Sequence, residues 1–198
     1  MKKICFLICI FTSVLVNAQE KIIIKETFEN NRFQWREFYE KDQSGGIENE
    51  YFVLKNKNKK NPALSRSELP ITIEENFKIT FKFLVPKVSS DYYFGIIFNY
   101  KNNGNYDSFL VAERKFQIRN RVNKENDNDP GVLILKSGKD KEVSIEIEKK
   151  GTKLIFRVDD IEAASITEEI NSRIFGFLVE GKNTIKVNEV IIEQRKEE

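Results

Sequence analysis

Between Asn76 and Val122 the chain alternates apolar and polar residues run after run, and this constrains the fold more than any other feature. In the stretch from Tyr92 to Val122, Tyr92, Phe94, Ile96, Phe98 and Tyr100 share one face, because side chains alternate with period two along a strand. The turn KNNGN supplies Asn and Gly where positive φ is needed. A second strand runs from about Tyr106 to Arg114. A third carries Phe116, Ile118, Asn120 and Val122 on one face and Gln117, Arg119 and Arg121 on the other. Upstream, Phe77, Ile79, Phe81, Phe83 and Val85 oppose Lys78, Thr80 and Lys82, the mark of one buried and one wet face. An antiparallel meander of this length needs a second sheet to cover its apolar face. The expected fold is all-β, a two-sheet antiparallel β-sandwich or jelly roll of about twelve strands.

The rest of the chain extends the pattern. Strands are expected over Lys21–Phe28, Ile47–Leu54, Leu64–Leu69 (an edge strand closed by Pro70), Val132–Leu135 and Val143–Lys149. Leu154, Phe156 and Val158 continue inward, Asp159-Asp160 marks a tight turn, and Ile161–Ile166, Arg173–Val179 and Thr184–Glu193 complete the set. KDQSGG reads as a turn, KNKNKKN and Lys124–Gly131 as loops, and residues 167–172 as one helical turn. Trp35, the only tryptophan, is expected in the core.

Composition narrows the chemistry. There is no histidine, and both cysteines, Cys5 and Cys9, lie in the first ten residues. That removes Ser-His-Asp and Cys-His machinery and any His-ligated zinc site. The 33 basic and 31 acidic residues differ only by Lys2 and Lys3, so no excess charge steers the protein toward nucleic acid or an anionic membrane.

Lys2 and Lys3, the apolar run Ile4–Val16 and the small-residue site Val16-Asn17-Ala18 have the form of a signal peptide. Cleavage after Ala18 or Gln19 leaves residues 19–198 as an exported, cysteine-free domain of about 180 residues, enough for one sizeable core. A monomer in the periplasm or outside the cell is expected, with no membrane attachment after cleavage.

The order of FENNRFQW (Phe28–Trp35), IENEYFVL (Ile47–Leu54), GIIFNYKNNGNY (Gly95–Tyr106), FRVDDI (Phe156–Ile161) and FGFLVEGKNTIKVNEVI (Phe175–Ile191) resembles the concanavalin A-like lectin/glucanase sandwiches. The nearest version is the laminin-G-like domain of exported bacterial proteins. The resemblance spans nearly all of residues 19–198 and implies binding of a glycan or another extracellular ligand. Where the family commonly has an aspartate in its closing strand, this chain has Asn188-Glu189, so calcium is not expected. Asp127, Asn128 and Asp129 could offer hard oxygen ligands but are read as a solvated acidic turn.

Two functional readings follow. A binding module would use the wet face of the central sheet: Tyr93, Asn99, Arg119 and Arg121, with Tyr106 and Asp107 at the hairpin end. Aromatic faces stack on sugar C–H surfaces, and Arg, Asn and Asp fix hydroxyls. A glycoside hydrolase would need two facing carboxylates. The family's hydrolytic members carry a Glu-x-Asp-x-x-Glu strand, which Glu146 and Glu148 match only in part because Lys149 follows them. The expectation is a non-catalytic module with no cofactor. A cell-envelope protein-interaction domain is the remaining alternative.

Overall fold

Strand β6 (Phe77–Lys87) shows why the chain stacks into two layers. Its alternate residues Phe77, Ile79, Phe81, Phe83 and Val85 are all buried, and Lys78 and Lys82 project to the other side. The computed structural model describes residues 21–87, 91–122, 125–133, 135 and 139–195. The proposed signal peptide lies outside these residues.

The strands in chain order are β1 (Lys21–Glu26), β2 (Phe38–Tyr39), β3 (Gln43–Glu48), β4 (Tyr51–Asn56), β5 (Ala63–Glu68), β6, β7 (Phe94–Asn102), β8 (Asn105–Ala112), β9 (Lys115–Val122), β10 (Glu125–Val132), β11 (Lys139–Lys150), β12 (Lys153–Val158), β13 (Ile161–Thr167), β14 (Ile174–Val179) and β15 (Asn183–Arg195). Nine form a large sheet in the order β13-β12-β11-β6-β15-β4-β3-β2, with β1 also paired to β15. Six form a smaller sheet, β10-β9-β8-β7-β14-β5. All pairings are antiparallel. The expected all-β two-sheet sandwich is the observed fold, with fifteen strands among the described residues.

The core lies between the sheets. Phe109 and Phe98 of the small sheet meet Phe156 of the large one at ring separations of 4.8 and 5.6 Å. Trp35 is 1 % exposed and contacts Phe28, Phe81 and Phe177, so the tryptophan is core as its type suggested. Two hairpins close on two-residue turns with both central residues at positive φ, Asn49-Glu50 and Asp159-Asp160. That geometry matches the twist of the strands it joins.

Four expectations are corrected. Gln43–Gly46 belongs to β3 and is not a turn, because both glycines fit beneath Phe38, Tyr39 and Phe52. Glu125–Val132 is an edge strand, where Pro130 is tolerated because an edge leaves one row of N–H groups unused. Leu133 and Leu135 are buried without forming a strand; their N–H groups donate to the carbonyls of Arg114 and Glu113. Residues 168–172 form an extended connection instead of a helical turn.

Candidate functional site

A single backbone feature creates the site. Asn99 sits at φ 48°, and the β7–β8 register shifts between Phe98 and Asn102. A bulge of this kind reverses which face the following residue takes. Phe94, Ile96 and Phe98 therefore point into the core, while Tyr100 turns outward. The expected single face from Tyr92 to Tyr100 is broken at Asn99. Outside, Tyr100 joins Ile97, Tyr106, Leu110, Leu178 and Leu64 in a second apolar layer on the small sheet.

Across that layer runs a ladder of cations and rings. Tyr100 and Tyr106 stack at 6.3 Å with 17° between their planes. The Arg66 guanidinium lies 4.5 Å from the Tyr100 ring centre, and that of Arg121 lies 5.3 Å from Tyr106. Arg121 Nη1 also donates to the Tyr106 hydroxyl at 2.7 Å. Burial raises the Tyr106 phenol above its ordinary pKa, outweighing the opposite pull of Arg121, so the ring stays protonated. Arg66 stands on β5 and Tyr100 on β7, with β14 between them. Gly176 is opposite Arg66 on β14 and places no side chain in the path of the guanidinium.

The ladder borders a cleft of about 840 Å³ lined by Arg36, Arg66, Tyr100, Asn102, Asn103, Gly104 and Asn105. A smaller recess of about 260 Å³ shares Arg36 and Asn103 and adds Glu40, Gln43, Asn61 and Arg121. Arg36 is held beside β5 by its own backbone: its N–H donates to the Arg66 carbonyl at 3.0 Å, and its carbonyl accepts from the Ser65 hydroxyl at 2.9 Å. The hairpin loop is pinned as well. Asn102 Oδ1 accepts from the Gly104 N–H and from Asn105 Nδ2, and the Tyr100 hydroxyl donates to Asn103 Oδ1 at 2.6 Å.

The six residues singled out from the sequence separate into three pairs. Tyr106 and Arg121 belong to the ladder. Tyr93 and Arg119 lie further along the same outer face, where Arg119 is 9 % exposed, ion-paired to Glu180 at 2.7 Å, bonded to Gln117 and laid 4.9 Å from the Tyr93 ring. The polar capacity of Arg119 is spent within the protein. Asn99 and Asp107 are not on the wet face. Asp107 shares its strand parity with Phe109 and Val111, which point inward, and the bulge turns Asn99 with it.

Asn99 and Asp107 instead hold the 168–172 connection. Asn99 Nδ2 donates to Asp107 Oδ2 at 2.9 Å and to the Glu169 carbonyl at 3.0 Å, and its Oδ1 accepts from the Asn171 N–H. Glu168 closes the cluster; its carboxyl is pushed up to about 7, first by burial and then by its hydrogen bond and charge contact with Asp107. Sequence reading missed Arg36, Arg66, Tyr100, Asn102 and Asn103. The outward parity of Arg66 in LSRSEL was the one available signal.

The carboxylates weighed for hydrolysis lie on the opposite surface. Glu146 and Glu148 both accept from Arg157 Nη1, Glu148 is also 2.9 Å from Lys150, and Glu146 is 3.5 Å from Lys78. The cations hold the Glu148 carboxyl below its ordinary range, against the burial that would raise it. A general acid needs the reverse shift. The backbone of Asp127, Asn128 and Asp129 belongs to strand β10, not to a loop.

No protein-family model matches the sequence, and no curated protein matches it. Solved structures do match. The carbohydrate recognition domain of Emp47p aligns with a TM-score of 0.63 at 9 % identity, over 87 % of this chain and 94 % of that one. A Bacillus subtilis protein of unknown function with a galectin-like fold gives 0.62 at 12 % identity, over 88 % and 96 %. The CBM66 carbohydrate-binding module from Bacillus subtilis gives 0.55 at 9 % identity, over 81 % and 91 %. Enzymes share the architecture too, the Crh5 transglycosylase among them. At these identities the likeness is one of fold: this chain is a galectin-like, antiparallel β-sandwich.

Proposed function

We propose that the protein is an exported, monomeric, non-catalytic module that binds a carbohydrate in the cleft over its small sheet. It is read as a laminin-G-like variant of the concanavalin A-like sandwich that needs no metal. The observation that carries this reading is the Arg66–Tyr100–Tyr106–Arg121 ladder bordering an amide-lined cleft. Rings and guanidinium planes give flat surfaces for sugar C–H faces, and the amide N–H groups of Asn102 and Asn103 have no acceptor among the described residues, so they are available to hydroxyls. Two of the matched structures are named for carbohydrate recognition, which supports the same class.

Hydrolysis is the weaker reading for a geometric reason. Glu146 and Glu148 are consumed by cations. Asp107 and Glu168 are both tied to the Asn99 side chain at the junction of the sheets, away from the ladder and the cleft. Affinity electrophoresis through gels containing a panel of polysaccharides tests the proposal. Retardation by at least one of them is expected, weakened about tenfold in Asn103→Ala at unchanged melting temperature. Unaltered mobility on every polysaccharide, or full retention of affinity in Asn103→Ala, would overturn it.

A further inference from the structure

We propose that the cleft selects a carboxylate-bearing sugar unit, a uronate in an acidic polysaccharide. This rests on the carbohydrate reading above and goes beyond it by fixing the charge of the ligand. Arg36 and Arg66 both line the cleft, and no acidic side chain does. Among the described residues neither arginine has a carboxylate within ion-pair distance, whereas Arg119, Arg157 and Arg173 each have one. Arg66 Nη1 is fully buried and has no hydrogen-bond partner among those residues. A buried guanidinium N–H without an acceptor is costly, and no carboxylate among the described residues offsets the Arg66 charge.

Geometry favours a planar anion. The Arg66 guanidinium is fixed by its contact with the Tyr100 ring; the Arg36 backbone is pinned to Arg66 and Ser65, and its guanidinium lies 5.1 Å from the Phe38 ring centre. A guanidinium held flat presents a fork of two parallel N–H groups, which a carboxylate meets with two oxygens in one plane. The amide N–H groups of Asn102 and Asn103, which line the same cleft, suit the ring hydroxyls of the same sugar. The overall charge balance of the chain conceals this local surplus.

The test is isothermal titration of the purified protein with polygalacturonate and alginate, with methyl-esterified polygalacturonate, with dextran sulfate, and with a neutral β-glucan. The expected result is binding to a uronate polymer, lost on methyl-esterification. Its affinity should weaken about fivefold or more between about 0.05 and 0.5 M salt. Arg36→Gln and Arg66→Gln should each cut affinity about tenfold at unchanged melting temperature. Lys150→Gln on the opposite sheet should leave it unchanged. Because Arg36 lies on a partly exposed segment outside both sheets, its variant remains informative if the Arg66 variant folds poorly. Salt-independent binding to the neutral glucan, or equal binding to dextran sulfate, would overturn the carboxylate inference and leave carbohydrate binding standing. Binding to none of the polymers would overturn both.

Discussion

The two outer faces of the sandwich are built from similar residue types and arranged to opposite ends. On the large sheet the acids of the central strands, Glu146, Glu148, Glu189 and Glu193, are each answered by cations. Glu193 lies between Lys21 and Lys78, Glu189 between Lys25 and Lys82, and Arg157 bridges Glu146 and Glu148. The burial cost felt by Glu148, Glu189 and Glu193 is more than offset by their lysine and arginine neighbours, and all three carboxyls titrate below their ordinary range. On the small sheet Arg66 and Arg121 lie over tyrosine rings, and Arg66 borders, together with Arg36, an open cleft without any acid. A saturated face has no unmet hydrogen-bonding capacity to offer a ligand, whereas an unsaturated one does. The difference teaches that charge count says little about recognition until each charge is assigned a partner.

The sharpest way to break this comparison is to disturb the small sheet where it is thinnest. A Cβ at Gly176 would come within 2.2 Å of the Ser65 carbonyl oxygen and 3.0 Å of Ile97 Cδ1. Gly176→Ala must therefore push β5 away from β14, at a cost of about 1–3 kcal/mol in chemical denaturation. It should also displace Arg66 and lower affinity for any cleft ligand. Wild-type stability in this variant would mean that the β5 edge is soft and the ladder is not preorganised.

Next comes a matched pair of charge deletions. Arg66→Ala should lose about tenfold in polysaccharide affinity, about 1.4 kcal/mol, with little change in folding stability. Lys78→Ala on the large sheet should do the reverse, leaving affinity intact while costing some stability, because it removes one of the two cations beside each of Glu193 and Glu146. If both variants bound equally well, the two faces would not differ in function.

The junction between the sheets gives a pH-dependent contrast. Unfolded Glu168 titrates near 4.5, and in the fold its carboxyl is raised to about 7. Between those values the folded chain binds more protons than the unfolded one, so stability falls as pH rises through this window. Below about 4.5 the contribution is complete, and above about 7 it is gone. Because Glu168 is partly exposed, screening limits the loss to roughly 1–2 kcal/mol. Asp107→Asn removes the neighbouring negative charge and should flatten the slope in thermal melts between about pH 5 and 7. Glu148, Glu189 and Glu193 of the large sheet, whose carboxyls are held below their ordinary range, should contribute nothing in that window.

These contrasts also mark what the sequence could and could not reveal. Strand alternation in Phe77–Val85 and Lys115–Val122 was legible because a half-buried strand must repeat every two residues. Glu146 and Glu148 could be set aside because lysines follow them directly. The site itself was half legible. Tyr106 and Arg121 follow from parity, but Tyr100 reaches the cleft only through the bulge at Asn99, and one residue in left-handed geometry leaves no periodic trace. The same bulge sent Asn99 inward against expectation. Arg36 and Arg66 meet because an irregular segment runs beside β5, a pairing between residues thirty positions apart in the sequence. KDQSGG reads as a turn and Lys124–Gly131 as a loop because Gly, Asn, Asp and Pro signal turns. The pull of a neighbouring strand overrode that signal.

The smallest predicted effect concerns the ladder of the large sheet and sharpens the comparison from its quieter side. Its ion pairs lie at the surface, with Lys82 and Glu189 44 % and 17 % exposed and 2.6 Å apart. Such pairs each contribute about 0–1 kcal/mol. Lys82→Met should therefore shift stability by less than about 1 kcal/mol in either direction, since the methionine keeps most of the apolar stem while the ion pair is lost. Raising salt from about 0.05 to 0.5 M should weaken the wild type slightly and the Lys82→Met variant less, because screening can remove only a pair that is present. The same salt step applied to ligand binding at the small sheet should have a much larger effect, since the Arg36–Arg66 cleft gains its partner only on binding. Equal salt sensitivity in folding and in binding would mean that the cations of both faces are equally satisfied before any ligand arrives, and the distinction between the saturated and the open face would collapse.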